Sequence, residues 1–248
     1  MYVSNKILSI HFKTVHEDAV LNIKLTRRFS DDGEKVALTF APVVQYAQTV
    51  PEPMRLAGGF IVPLHTTERL CIDFKSPNYY QFAIKATSNG ECLLTALPTV
   101  EGLRKGTRWD ENGSSDLQNY LPFGLNKGIE SRYLGGGHYQ PLMVEEEPLM
   151  IELEIYPLRS DRWTPPEPLP FNDAPVLVLK PGPHTFWDTE FTLPTIYLDG
   201  HLLEICSDLR RPNDYDQNTM SRIRLHLVTV EQWEAITGKP IEYPPLTK

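Results

Sequence analysis

Period-two alternation of apolar and polar residues, turn dipeptides between the alternating runs, and 22 prolines spread along the chain together predict a mainly β protein. The expected architecture is an antiparallel β-sandwich of jelly-roll-like type, built as one elaborated domain or as two β lobes, with one short C-terminal helix. Strands are expected at 6–12, 19–25, 36–40, 59–64, 69–74 and 81–86, where the alternation is regular. In the second of these, Ala19, Leu21, Ile23 and Leu25 point to one side and Val20, Asn22 and Lys24 to the other, so the strand covers a core with one face. Short connections favour antiparallel pairing. Asp32-Gly33 and Asn89-Gly90 supply residues that tolerate positive φ and mark hairpin tips.

Residues 101–119 break the pattern. Gly102, Gly106, Gly113, Ser114 and Ser115 sit among charges with Trp109 as the one large anchor, which predicts a long surface loop. Strands resume at 128–134 and 149–156, the latter alternating Ile151, Leu153 and Ile155 with Met150, Glu152 and Glu154. Prolines 157, 165, 166, 168, 170 and 175 each remove a backbone donor. Residues 158–175 are therefore expected to connect an N-terminal lobe, 1–157, to a C-terminal lobe, 176–248. In that second lobe, strands are expected at 176–179, 195–198, 202–205 and 222–228, with Asp199-Gly200 as a tight turn. Thr229 stands three residues before Gln232, and Gly238 where a helix would stop, so one helix is expected from 230 to 237 with Trp233 and Ile236 as anchors. From Pro240 onward the chain is too rich in proline to extend it.

Composition narrows the function classes. With 41% hydrophobic and 23% charged residues the chain can bury a core. A net charge of -8 repels polyphosphate and argues against nucleic acid as the main partner. No apolar run approaches the roughly 20 residues that a membrane helix needs, and the first residues alternate instead of forming a signal-peptide core. A cytoplasmic setting is expected. Cys71, Cys92 and Cys206 form no Cys-x-x-Cys pair and are expected as buried free thiols. His65 and Cys71 raise a Cys-His nucleophile pair, which the Pro63 and Thr66-Thr67-Glu68 interruptions disfavour against a core cysteine. Elbow, zincin, phosphate-loop and dinucleotide motifs are absent from the sequence.

The densest chemistry lies in 132–147, where Gly135, Gly136 and Gly137 precede His138, and Glu145, Glu146 and Glu147 follow. His138, Tyr139 and Gln140, with Trp109 and Tyr120 from neighbouring loops, are the expected ligand-binding residues. Tyr79, Tyr80, Trp163 and Trp187 are further rings expected on loops, each equally able to plug the core beneath. An alternative is a cupin-like metal-dependent enzyme acting on a small molecule or carbohydrate. In it, His138, Glu145 and a distant His184 or His201 would hold a divalent transition metal, although Gln140 stands where a second local histidine is usual. Asp214, Asp216 and Asn218 alternate as calcium ligands do, yet Thr219 and Leu225 occupy the glycine and glutamate places of an EF-hand loop. An Asx turn explains the same composition.

Arg69-Leu-Cys-Ile-Asp-Phe-Lys-Ser-Pro77, Gln81-Phe-Ala-Ile-Lys-Ala86, Gln118-Asn-Tyr-Leu-Pro122, Ile236-Thr-Gly-Lys-Pro240 and Pro244-Pro245 resemble segments of an uncharacterised group of bacterial and fungal proteins. The chain departs from that group at 123–140. The resemblance implies a shared β architecture and transfers no functional residue. The reading that follows is a non-catalytic binding or assembly protein without a cofactor, with a protein partner or a second copy of itself, and with neither nucleic acid nor membrane as partner.

Overall fold

Seventeen β segments organise into two large sheets and two hairpins in the computed structural model, which describes residues 2–4, 6–30, 33–105, 118–123, 127–135, 138–144, 149–165, 195–198, 201–204, 210–241 and 243–246. The first sheet holds β1 (Tyr2–Ser4), β2 (Ile7–His11), β3 (Val20–Arg28), β4 (Val36–Ala37), β7 (Arg69–Lys75) and β11 (Lys127–Ile129), in the order β1-β2-β3-β7-β11 with β4 on β3. The second holds β5 (Ala41–Pro42), β6 (Phe60–Leu64), β8 (Phe82–Ser88), β9 (Glu91–Cys92), β10 (Leu121–Phe123), β14 (Leu149–Pro157) and β17 (Ser221–Thr229). Its order is β10-β8-β14-β17-β6-β5, with β9 on β8. β12 (Ser131–Gly135) pairs with β13 (His138–Pro141), and β15 (Thr195–Leu198) with β16 (His201–Glu204). The protein is mainly β, with antiparallel and mixed pairing.

One buried cluster draws from both large sheets. Leu21, Ile23 and Leu25 of β3 and Leu70, Ile72 and Phe74 of β7 join Phe82 and Ile84 of β8, Ile151, Leu153 and Ile155 of β14, and Ile223, Leu225 and Leu227 of β17. These are the residues that alternation assigns to one face, and full burial of each such side chain contributes about 1.5–3 kcal/mol. The Asn89-Gly90 hairpin forms as expected: both residues take positive φ, 50° and 81°, and Ser88 faces Glu91 across the tip.

Two features depart from the sequence expectation. β17 lies between β14 and β6, and it runs parallel to β6, with Leu225 opposite Phe60 and Leu227 opposite Val62. A strand from beyond the proline-rich stretch is thus central to a sheet begun before it. Gly59 makes this possible: its φ is +96°, and a Cβ there would stand 2.3 Å from the Arg224 carbonyl oxygen. The second departure is α1 (Glu52–Ala57), entered through Pro51 and carrying a proline in its first turn, where the missing N–H costs nothing. The expected strand at 36–40 shortens to β4.

α2 (Val230–Thr237) coincides with the expected helix. The Thr229 hydroxyl accepts from the Gln232 N–H at 3.2 Å, the Gln232 side chain accepts from the Thr229 N–H at 2.9 Å, and Gly238 ends the helix in the left-handed region. Trp233 and Ile236 bury against Ile61 and Val228, on the side of β6 and β17 away from the main core. Trp109, Glu145, His184, Trp187 and Cys206, and the strand expected at 176–179, lie outside the described residues.

Candidate functional site

Strand register builds a row of charged side chains on the second sheet. The face of the second sheet that turns away from the main core carries Lys85, Glu154 and Arg222 opposite one another on β8, β14 and β17. The next row holds Thr87, Glu152 and Arg224. Glu154 is the hub: it accepts from the Lys85 ammonium at 3.0 Å, from the Arg222 guanidinium at 2.6 Å and from the Tyr156 hydroxyl at 2.8 Å. Glu152 accepts from Arg222 at 3.1 Å and from Arg224 at 2.6 Å, and Arg224 also donates to the Ala57 carbonyl at 2.6 Å. Opposite charges face each other across the strands, Lys85 with Glu154, Glu154 with Arg222 and Glu152 with Arg224, the stabilising arrangement for directly opposed pairs.

The environment sets the protonation states. Burial pushes the Glu154 carboxyl up, but hydrogen bonds from Arg222, Lys85 and Tyr156 outweigh it and hold the group below the usual carboxylate range. Burial and then the bond to Glu154 raise the Tyr156 phenol, so it remains a donor. Beyond the ladder, burial lowers His226 against the opposing bond from its Nε2 to the Gly58 carbonyl, which measures 2.8 Å.

Lys85 is 1% exposed. Its ammonium donates to Glu154 and, at 2.6 Å, to the Val100 carbonyl, leaving one N–H without a partner among the described residues. The segment from Leu93 to Arg104 passes over it and leaves a mostly apolar recess of about 120 Å³, where Leu97, Pro98 and Val100 stand beside Lys85, Arg104 and Asn119. That space accommodates several waters or a small ligand. Asn119 holds the overlying segment in place, accepting from the Arg104 N–H at 2.8 Å and donating to the Gly102 carbonyl at 3.1 Å. Lys85, Arg104, Arg222 and Arg224 stand against Glu152, Glu154 and Glu101, an excess of one positive charge on a chain whose net charge is -8.

The expected site residues distribute differently. His138 is exposed at the start of β13. Tyr139 packs on Tyr133 of β12 with ring centroids 4.9 Å apart, and the Gln140 side-chain Oε1 accepts two bonds from Arg132, at 2.9 and 2.7 Å. β12 and β13 pair on either side of Gly136 and Gly137, which lie outside the described residues, and their register shifts between Tyr133 and Gly135. Tyr120 is fully buried, edge-on to Tyr215 at 5.8 Å. His138, Tyr139, Gln140 and Tyr120 are not among the residues that line the recess. Among the described residues no group of three or more His, Cys, Asp and Glu stands close enough to hold a metal. Asp216 accepts from the Asn218 N–H at 3.0 Å and the Thr219 hydroxyl at 2.8 Å, and Asp214 from the Arg211 N–H at 2.8 Å, the self-bonded turn that composition suggests.

Cys71 and Cys92 are buried free thiols. Burial, with Glu130 adding to it, pushes the Cys71 thiol up to about 12, so it carries no thiolate at neutral pH. Tyr80, Trp163 and His16 stack together, with centroids 4.6 to 5.6 Å apart. No helix among the described residues is long and apolar enough to cross a membrane.

In comparison with known proteins, no family model matches the chain, and no curated protein or solved structure matches it either. The ladder leaves a sequence signal all the same. Lys85 is a lone charge in the apolar run Phe82-Ala-Ile-Lys-Ala86, and Glu152 and Glu154 alternate with core residues. Pairing them requires the register, which no local pattern encodes.

Proposed function

We propose that this chain is a non-catalytic binding protein of β-sandwich type whose ligand is a small organic anion, taken at the recess beside Lys85. The observation that carries the reading is the buried Lys85 ammonium, which meets two acceptors among the described residues, in a residue that lines the recess with the exposed Arg104 beside it. A carboxylate in that position gains charge-assisted hydrogen bonds in a partly desolvated site. Glu154 and Tyr156 are held in fixed protonation states by their neighbours, which suits the ladder to positioning Lys85 and not to proton transfer. The sandwich arrangement is supported by the larger core cluster, which draws residues from both large sheets. A reducing, cytoplasmic setting is supported by the free buried thiols.

The test is thermal unfolding with acetate, malonate and inorganic phosphate at constant ionic strength, for the wild type, Lys85→Met and Arg104→Ala. A ligand at 100 times its Kd stabilises by about 2.7 kcal/mol, or about 5–10 °C for a chain of this size. A saturable rise with a carboxylate in the wild type, weakened in Arg104→Ala and lost in Lys85→Met, is expected. Responses that do not saturate, or that survive Lys85→Met, refute the assignment.

A further inference from the structure

A second place, built from residues other than those of the recess, joins buried charge to a segment without secondary structure. Arg27 and Glu68 form an ion pair with side chains 2% and 0% exposed. Part of what covers them is the proline-rich stretch after α2. The Tyr243 ring lies 4.0 Å from the Arg27 guanidinium carbon, and its hydroxyl donates to the Pro63 carbonyl at 3.2 Å. Arg27 donates to the Pro244 carbonyl at 3.0 Å, and the Leu246 N–H donates to Glu68 at 2.9 Å. The His65 ring stands edge-on to Tyr243 at 6.2 Å, and its Nε2 is buried without a hydrogen-bond partner among the described residues.

These are the contacts of an extended peptide in a groove: one aromatic anchor, then a backbone acceptor and a backbone donor two residues apart, each met by a charged side chain. Prolines 244 and 245 are exposed and hold the backbone extended without ordering cost. The described part of the segment pairs with no strand, so its departure breaks no sheet. Arg27 and Glu68 would remain bonded to each other and become solvated, and neither is left as an isolated buried charge. Segments held by few buried contacts open at far lower cost than the core.

We infer that residues 243–246 are the resident occupant of a peptide groove, and that the groove takes in their place an extended aromatic-Pro-Pro-aliphatic segment of a partner protein. The resident segment competes with the incoming one and so sets the apparent affinity.

The experiment uses the full-length chain and a fluorescent peptide with the sequence of residues 240–248. Tyr243→Ala, checked by far-UV circular dichroism, should bind the peptide saturably and at least tenfold more tightly than the wild type does. A control peptide with its tyrosine replaced by alanine should bind neither. Hydrogen exchange on the wild type needs no variant: the Leu246 amide should exchange through an opening that leaves the β14 and β17 amides protected. Absence of peptide binding to a folded Tyr243→Ala chain, equal binding of the control peptide, or Leu246 exchange only through global unfolding would each overturn the inference. So would a wild-type mass of two copies that falls to one in Tyr243→Ala, since the groove would then serve a second copy of this chain.

Discussion

Replacing Glu154 by glutamine removes the one negative charge bonded to Lys85 while keeping shape and one acceptor oxygen. Lys85 is 1% exposed, and its ammonium is held between the Glu154 carboxylate and the Val100 carbonyl. Breaking a buried pair by neutralising one partner costs about 3–5 kcal/mol, and the retained amide oxygen places this case near 3. That loss corresponds to about 6–12 °C in Tm for a chain of this length. Urea unfolding at pH 7 of the wild type, Glu154→Gln, Lys85→Met and the double variant measures it as a cycle. The double variant should recover more than half of the single-variant loss, because the orphaned charge is gone. The pH dependence follows the same group. Its folded pKa lies below its ordinary value of 4.5, so its stabilisation is fully present above about pH 4.5 and is lost as pH falls through the lowered folded value. A Glu154→Gln loss below about 1 kcal/mol, with no recovery in the double variant, would show Lys85 already compensated by water and would refute the ladder as its counter-charge.

Gly59→Ala should destabilise by about 2–4 kcal/mol in chemical unfolding, since positive φ and a backbone clash with Arg224 combine there; Gly90→Ala, with positive φ but open space, should cost only about 1 kcal/mol. Thr229→Ala should cost about 1 kcal/mol by removing the α2 cap, and an unchanged urea midpoint would contradict the capping role. His226 is lowered from 6.5 by burial, so the unfolded chain takes up the proton first and stability should fall as pH drops below about 6.5, a slope that His226→Gln should flatten in unfolding midpoints between pH 7.5 and 5.5. Elemental analysis of purified protein should find no stoichiometric transition metal in the wild type or in His138→Ala, whereas one ion per chain lost with His138 would favour the metalloenzyme.

Much of the secondary structure was legible because its causes are local. Alternation in 149–156 assigns Ile151, Leu153 and Ile155 to the core whatever strand lies beside them, and Asn89-Gly90 turns the chain by its own φ preferences. Thr229, Gln232 and Gly238 delimit α2 for the same reason. The candidate site was not legible, because its parts come from β8, β14, β17 and the segment above Lys85. His138 stands out in the sequence through the three glycines before it, and in the structure it is exposed at the start of β13.

From the sequence alone, then, come the mainly β character, the inward face of each long strand and the single capped helix, all fixed by interactions within a few residues. Only the tertiary structure decides that β17 runs parallel to β6 and that Lys85, Glu154 and Arg222 stand in one row. It also decides that residues 243–246 meet a buried Arg27–Glu68 pair. The physical reason is the same throughout: strand neighbours and buried charge partners are chosen by how the apolar faces of distant segments pack together, and that choice leaves no periodicity in the segments themselves.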